Sequence, residues 1–378
     1  MKIVSIEPTP SPHSMKINLS ESLPPEETYN YNEKDDLTNA PNYVQELFAL
    51  TGVKNIYRVV DFIALARHPK TPWEELLPQV REVLGTTEEL EIPNITPSTE
   101  QQDGFGEVHV FIQMFLGIPM QVKLEEDDEE KRFGLPEIFT NAVMDASPAS
   151  TNVIMDRKWV EQHPRYGNID EIGEEVVEEL KASYDEERLQ TLVNLAFQTD
   201  KAEQSSGYYQ TVPIEKMDDP NWKNRYAALD RLDPTIDDLN LLEKALHDEK
   251  SSIRRLATAY LGMIEDKKVL PLLYIALEDK AINVRRTAGD CISDLGFAEA
   301  APKMITTLKD KSQLVRWRAA MFLYEVGDES AIAPLQDAVD DPEFEVRMQI
   351  NMALERIQGG KEAKGSVWHQ MTQATKKG

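Results

Sequence analysis

The chain has 378 residues, 41% of them hydrophobic and 29% charged, which implies two or three globular domains and excludes a fully disordered polypeptide. Residues 1–215 hold 17 basic and 40 acidic residues, against 24 and 27 in residues 216–378, and so acidic a half repels nucleic acid. No apolar run approaches the ~18 residues of a membrane span, and the single cysteine, Cys291, excludes an internal disulfide and any Cys-x-x-Cys metal or cluster site.

The opening Met1-Lys2-Ile3-Val4-Ser5-Ile6-Glu7-Pro8 turns polar too soon for a secretory signal, so a cytoplasmic location is expected. Residues Lys2–Glu7 and Met15–Leu19 alternate as short strands around a turn-rich loop. Val44, Leu47 and Phe48 have helical spacing, and Val53 to Ala66 is β-rich with a break at Asp61. Thr71-Pro72-Trp73-Glu74 then reads as a capping box with a first-turn proline, ahead of Leu76, Leu77, Val80 and Leu84. Together these form a small α+β unit over residues 1–93.

The stretch Thr9-Pro10-Ser11-Pro12-His13-Ser14-Met15-Lys16, with Leu47-Phe48, Gly52-Val53-Lys54 and Asp61-Phe62-Ile63, resembles the N-terminal domain of the Nfu iron–sulfur scaffold proteins. In that family a separate domain bearing Cys-x-x-Cys holds the cluster. This chain has no such motif, so cluster binding does not carry over.

A polar linker, 94–106, leads to a second α+β module at 107–184. At an offset near 95, Pro41 maps to Pro136, Asp61 to Asp156 and His68-Pro69 to His163-Pro164, which reads as a diverged duplicate of the first unit. Glu107–Met114 and Met120–Leu124 are its strands, Glu125–Arg132 a charged loop, and Asn168-Ile169-Asp170-Glu171 a helix start. The two His-Pro pairs lack nearby thiolate or carboxylate partners and read as turns leading into helices rather than metal ligands. A connecting helix over Asp185–Phe197 and a polar stretch complete residues 185–215.

From 216 to 360 the sequence repeats. Asp219, Asp248, Asp279, Asp310 and Asp341 are each followed six residues later by Arg225, Arg254, Arg285, Arg316 and Arg347. Apolar residues recur before each aspartate and at helical spacing after each arginine, which gives two helices per unit. Such units close a core only by stacking into a solenoid. Asp-x4-[Ile/Val]-Arg-x2-Ala-x3-Leu, as in Asp248–Leu261 and Asp310–Leu323, resembles the short HEAT repeats also found in phycobilin-lyase-like proteins. That resemblance implies an aspartate–arginine ladder between successive repeats, so the ten residues are structural. Cys291 falls in a mostly apolar column with Tyr260, Phe322 and Ala353 and is expected to pack. A basic tail, 361–378, follows.

The fold class is therefore α+β modules, Nfu N-terminal-like and apparently duplicated, followed by an all-α HEAT-repeat (armadillo-like) solenoid. As a whole the chain resembles the conserved virulence factor C proteins of Gram-positive bacteria, a family tied to virulence-gene expression, and the resemblance implies no chemical activity. No residue is assigned a catalytic, cofactor-binding or metal role, and no nucleophile sits in a motif with any of the six histidines. A non-enzymatic adaptor that binds protein partners through the solenoid is the leading expectation. An accessory of iron–sulfur cluster assembly is second and a lyase-like enzyme third. The residue after each ladder arginine gives the column Tyr226, Arg255, Arg286, Trp317 and Met348, an aromatic and cationic strip expected to face a partner.

Overall fold

A computed structural model describes residues 1–9, 11–24, 27–86, 107–126, 129–198 and 210–360. The expected linker at 94–106, residues 199–209 of the polar stretch expected at 199–213, and the tail at 361–378 lie outside the described residues. Contacts divide the chain into two units: one joins residues 1–105 to 296–378, the other is residues 106–295. The repeat region is thus shared between them, each part grouped with its own sheet.

In the first unit, Ile3–Pro8 (β1) and Ser14–Leu19 (β2) pair as the alternation predicts, and β2 pairs in turn with Phe62–Arg67 (β5). Val53–Val59 (β4) follows, and Thr28–Asn32 (β3) closes the five-stranded antiparallel sheet in the order β1-β2-β5-β4-β3. The last strand was not expected: its residues, Thr-Tyr-Asn-Tyr-Asn, are mostly exposed, and it is held by backbone pairing and by Asn55, whose amide reaches Asn30 and Asn32 at 2.7 and 2.9 Å. Asn42–Phe48 (α1) and Trp73–Leu84 (α2) bury Val44, Leu47, Trp73, Leu76, Leu77 and Val80 against one sheet face.

The capping box expected at Thr71 is absent. Pro72 occupies the cap without a side-chain bond, the Thr71 carbonyl accepts from the Arg67 guanidinium, and its side chain fills the space beside Gly52. Gly52 has φ +99°, and a Cβ there would overlap Thr71. The Thr-Pro-Ser-Pro-His loop is likewise spent internally. Thr9 Oγ1 bonds Ser11 and Ser14 carbonyls at 3.0 Å, Trp73 Nε1 donates to the Pro12 carbonyl at 2.9 Å, and His13 is buried.

In the second unit, Glu107–Phe115 (β6), Ile118–Glu126 (β7), Glu129–Gly134 (β8) and Arg157–Tyr166 (β9) make an antiparallel sheet in the order β8-β7-β6-β9. The stretch expected as a charged loop therefore forms the β7–β8 hairpin, in which Glu125 faces Glu130 and Lys123 faces Arg132. Only its other face, through Phe133, contacts the core. Glu137–Ala146 (α3), Ile169–Ser183 (α4) and Glu186–Ala196 (α5) cover the sheet, and Asn168 caps α4 as expected by accepting from the Asp170 and Glu171 amides.

The two modules are not topological copies. The closing strand pairs with the second strand of the hairpin in the first sheet (β5 with β2) and with the first in the second (β9 with β6). The local correspondence of Pro41 and Pro136 survives, each capping the helix after its hairpin. That of the histidines does not: His68 precedes the turn into α2, whereas His163 lies inside β9.

The repeats continue each unit. Trp222–Asp230 (α6), Leu239–Leu246 (α7), Ser251–Met263 (α8), Leu270–Ala276 (α9) and Ile282–Leu295 (α10) belong to the second unit. Ala301–Thr307 (α11), Gln313–Val326 (α12), Ile332–Gln336 (α13) and Phe344–Gln358 (α14) belong to the first. Short and long helices alternate from α7 on, as the two-helix period predicts. Among the described residues no helix is long and apolar enough to cross a membrane.

Candidate interaction surface

Each long helix begins just after its aspartate, so the arginine six residues on sits in the first helical turn and reaches back. Arg225, Arg254 and Arg316 donate to the carbonyls of their own Asp219, Asp248 and Asp310 at 2.7–2.9 Å. Each also makes a two-pronged contact with the next aspartate along the chain. Arg225 reaches Asp248 at 2.7 and 2.9 Å, Arg254 reaches Asp279 at 2.6 and 2.9 Å, and Arg316 reaches Asp341 at 2.6 and 3.0 Å. Arg285 donates to the Asp279 carbonyl at 2.9 Å. Asp248, Asp279 and Asp341 each also accept from the amide two residues on, so a single carboxylate fixes both the turn and the neighbouring repeat. Burial pushes Asp279 up, and the bonds from Arg254 and the Ala281 amide outweigh it, holding its carboxyl below the usual range.

The last of the five rungs meets the first module. Arg347 donates to the Asp341 carbonyl at 2.8 Å, and its other prong meets Glu74, in the first turn of α2, at 2.8 Å. Beside it Arg67, at the end of β5, meets Glu345 at 2.6 Å, both side chains under 5% exposed. Phe344 and Met348 enter the same hydrophobic core as Leu47, Trp73 and Val80. The Nfu-like module therefore serves the first unit as the cap on its terminal repeat helix, the role a polar end repeat plays in other solenoids.

The column Tyr226, Arg255, Arg286, Trp317 and Met348 was expected to face a partner across solvent, and here the structure corrects the expectation. Tyr226, Arg286, Trp317 and Met348 are buried, and Arg255 is largely covered. In the second unit the covering groups come from the second module. Arg255 donates to Glu179 of α4 at 3.1 Å, Glu179 is gripped from its other side by Arg165 of β9 at 2.5 Å, and Tyr226 packs in the same place. Arg286 donates to the Tyr166 hydroxyl at 3.1 Å and to Asp290 at 3.0 Å, with its guanidinium 4.6 Å from the Tyr166 ring. In the first unit Met348 enters the first module's core, and the Arg318 guanidinium lies 5.0 Å from the Trp317 ring. At Arg255, Arg286 and Met348 the strip is an interface whose partners are the chain's own modules, and Trp317 is buried with Arg318 of its own helix against it.

Sequence reasoning missed the other half of that interface: Arg67, Glu74, Arg165, Glu179 and Glu345. A signal existed for Glu179, an acid at helical spacing from Val176 on an otherwise apolar stripe, which indicates a buried pair. Burial pushes Glu179 up, while the charges of Arg165 and Arg255 pull harder and leave its carboxyl below the usual range.

A cleft of about 190 Å³ opens beside this network, lined by His163, Tyr166, Arg255, Arg286, Asp290 and Cys291 among others. Burial drives the Cys291 thiol far above its ordinary range, so it stays protonated and makes a poor nucleophile. Its sulfur packs on Gly262, where a Cβ would overlap it. The charges around the cleft are engaged in Arg165–Glu179–Arg255 and Arg286–Asp290 pairs.

Three family profiles match the chain: scaffold protein Nfu/NifU N terminal over residues 4–89, virulence factor over 113–193, and HEAT repeats over 271–355. A crystal structure of protein SAV1430 from Staphylococcus aureus is similar, with 38% identity and a TM-score of 0.21 over 22% of this chain and 98% of that one. Among relatives, the uncharacterized protein YpgR of Bacillus subtilis is 53% identical over 382 residues, covering 100% of both chains. Conserved virulence factor C of Staphylococcus aureus strain MRSA252 is 44% identical over 377 residues, covering 99% of this chain and 100% of that one. Together with the sheet that opens the chain and the repeats that close it, this full-length similarity establishes that the chain belongs to the conserved virulence factor C family.

Proposed function

We propose that the protein is a non-enzymatic adaptor in which the HEAT repeats hold the two α+β modules and present them to protein partners. The observation that carries this reading is the occupancy of the repeat strip by Glu179, Tyr166 and the first module's core. A strip already engaged inside the chain leaves partner recognition to the outward surfaces of the modules. The cleft supports the non-catalytic part of the reading, since its thiol is held protonated and its charges are paired. No nucleic acid or membrane is required by any feature of the adaptor.

The reading is tested by placing a photo-crosslinking amino acid in the intact protein in cells, at Trp317 on the repeat strip and at Val160 on the second module. Crosslinks to a discrete protein from position 160 and none from position 317 are expected. Crosslinks from position 317 alone would return the binding role to the strip, and release of a reaction product from candidate substrates by the purified protein would contradict the adaptor reading.

A further inference from the structure

We infer that the outer edge of β9 is a docking site for an extended acidic peptide of a partner protein, which adds to the sheet as a fifth strand. The inference deepens the adaptor reading and rests on it. β9 is ten residues long and, among the described residues, stands at the edge of its sheet and pairs with β6 alone. Residues 157–162 are exposed apart from a partly covered Trp159, and the strand meets the cleft beside the repeat helices at His163 and Pro164. Its outward amides and carbonyls form a template for another strand.

Charge selects the occupant. Arg157 and Lys158 open the strand, and among the described residues neither has an acidic partner. The opposite edge differs. On β8 Lys131 meets Asp170 at 2.9 Å and Arg132 meets Glu130 at 2.7 Å, so its cations are already neutralised. In a chain of net charge −26, two adjacent unpartnered cations on an open edge are available for an acidic segment. They also repel a second β9 laid alongside in the same direction.

An apolar step precedes the cations. Asn152 Oδ1 accepts from the Ile154 and Met155 amides at 3.2 Å, a turn that projects both side chains outward, 78% and 71% exposed. Val153, between the turn and the rest of the module, anchors the loop in the core. Val160 adds a further exposed apolar side chain along the strand. The complement of this edge is an extended segment that alternates acids with β-branched residues.

The test uses the full chain and a fluorescein-labelled, end-blocked peptide, Asp-Val-Glu-Ile-Glu-Val-Asp, with a lysine-for-acid version as control. Saturable anisotropy change with the acidic peptide alone is expected, weakened at least tenfold in Arg157→Glu/Lys158→Glu, together with slowed amide exchange across residues 157–163. Affinity unchanged in that variant, or no slowed exchange in β9, would overturn the site. Failure to saturate would do the same. Self-association of the chain that the double variant abolishes would assign the edge to a second copy and also overturn it. In each of these cases crosslinking from position 160 or elsewhere on the modules still decides the adaptor reading separately.

Discussion

Arg347 and Glu74 lie 273 positions apart and meet at 2.8 Å, with both side chains largely buried. Arg225, Arg254 and Arg316 each grip an aspartate of the following repeat, and Arg347 grips a glutamate of the Nfu-like module instead. The ladder thus ends on a different domain. An arginine is suited to both ends because its planar fork can hold a carbonyl of its own turn and a carboxylate of the neighbouring element at once.

The internal rungs should be structural. Removing Arg254 strands Asp279, a half-buried carboxylate, and releases the Asp248 carbonyl. Arg254→Ala should lose about 2–4 kcal/mol in chemical denaturation, and Arg254→Lys should recover only part, since an ammonium cannot span both oxygens. Equal stability of the alanine variant and the parent would remove the ladder from the account.

Arg286→Glu should fail as a surface change. Its guanidinium is buried between Tyr166 and Asp290, so reversal places two carboxylates side by side away from water. A loss of several degrees in Tm is expected even where expression is normal. A variant as stable as the parent would mean that this part of the strip is open.

Much of this was legible in the sequence. The repeat period with its aspartate and arginine columns, the helix capped by Asn168 and the inward position of Cys291 follow from spacing, because they depend on local geometry repeated along one chain, and the resemblance to HEAT repeats supplied the ladder role of those columns. The destination of the strip did not follow. Arg255 and Arg286 have the same composition as an exposed binding surface, and only the fold brings Glu179 and Tyr166 to them from about 75 and 120 positions away. Thr71 failed for a related reason: its capping chemistry is generic, and the close approach of Gly52 claimed its side chain first. The β7–β8 hairpin was masked by charge, since alternation in an edge hairpin with one solvated face leaves few apolar residues to read.

Two buried glutamates should respond to pH with opposite sign. Glu179 has its folded pKa held below the unfolded value of about 4.3, so its contribution is complete above that value and is lost as pH falls through the folded pKa. For Glu345 burial outweighs Arg67 and raises the folded pKa, so the folded state gains stability as pH falls through that value toward 4.3 or so. The stability gap between parent and Glu179→Gln should therefore shrink on acidification, whereas that for Glu345→Gln should widen. Denaturation curves between neutral pH and pH 3.5 or so check both signs. Parallel trends in the two variants would mean that one of the pairs is misassigned.

Cys291 should be inert in the native protein. Its thiol is buried and held protonated, so an aromatic disulfide reagent at mildly alkaline pH should react only after denaturation. Gly262→Ala should cost about 1–3 kcal/mol by overpacking against the sulfur, and Gly262→Ala/Cys291→Ala should recover part of it. Fast labelling of the folded parent would contradict the packing assignment.

The central claim, that the repeats are closed by the chain's own module, is tested most directly by charge reversal across Arg347 and Glu74. Arg347→Glu and Glu74→Arg each place like charges together and should each lower stability by about 1–3 kcal/mol. The exchanged pair, Arg347→Glu/Glu74→Arg, restores opposite charges and should recover at least half of the summed loss in a double-mutant cycle. Strictly additive losses would show that the two residues do not meet, and the Nfu-like module would no longer be the cap of the terminal repeat.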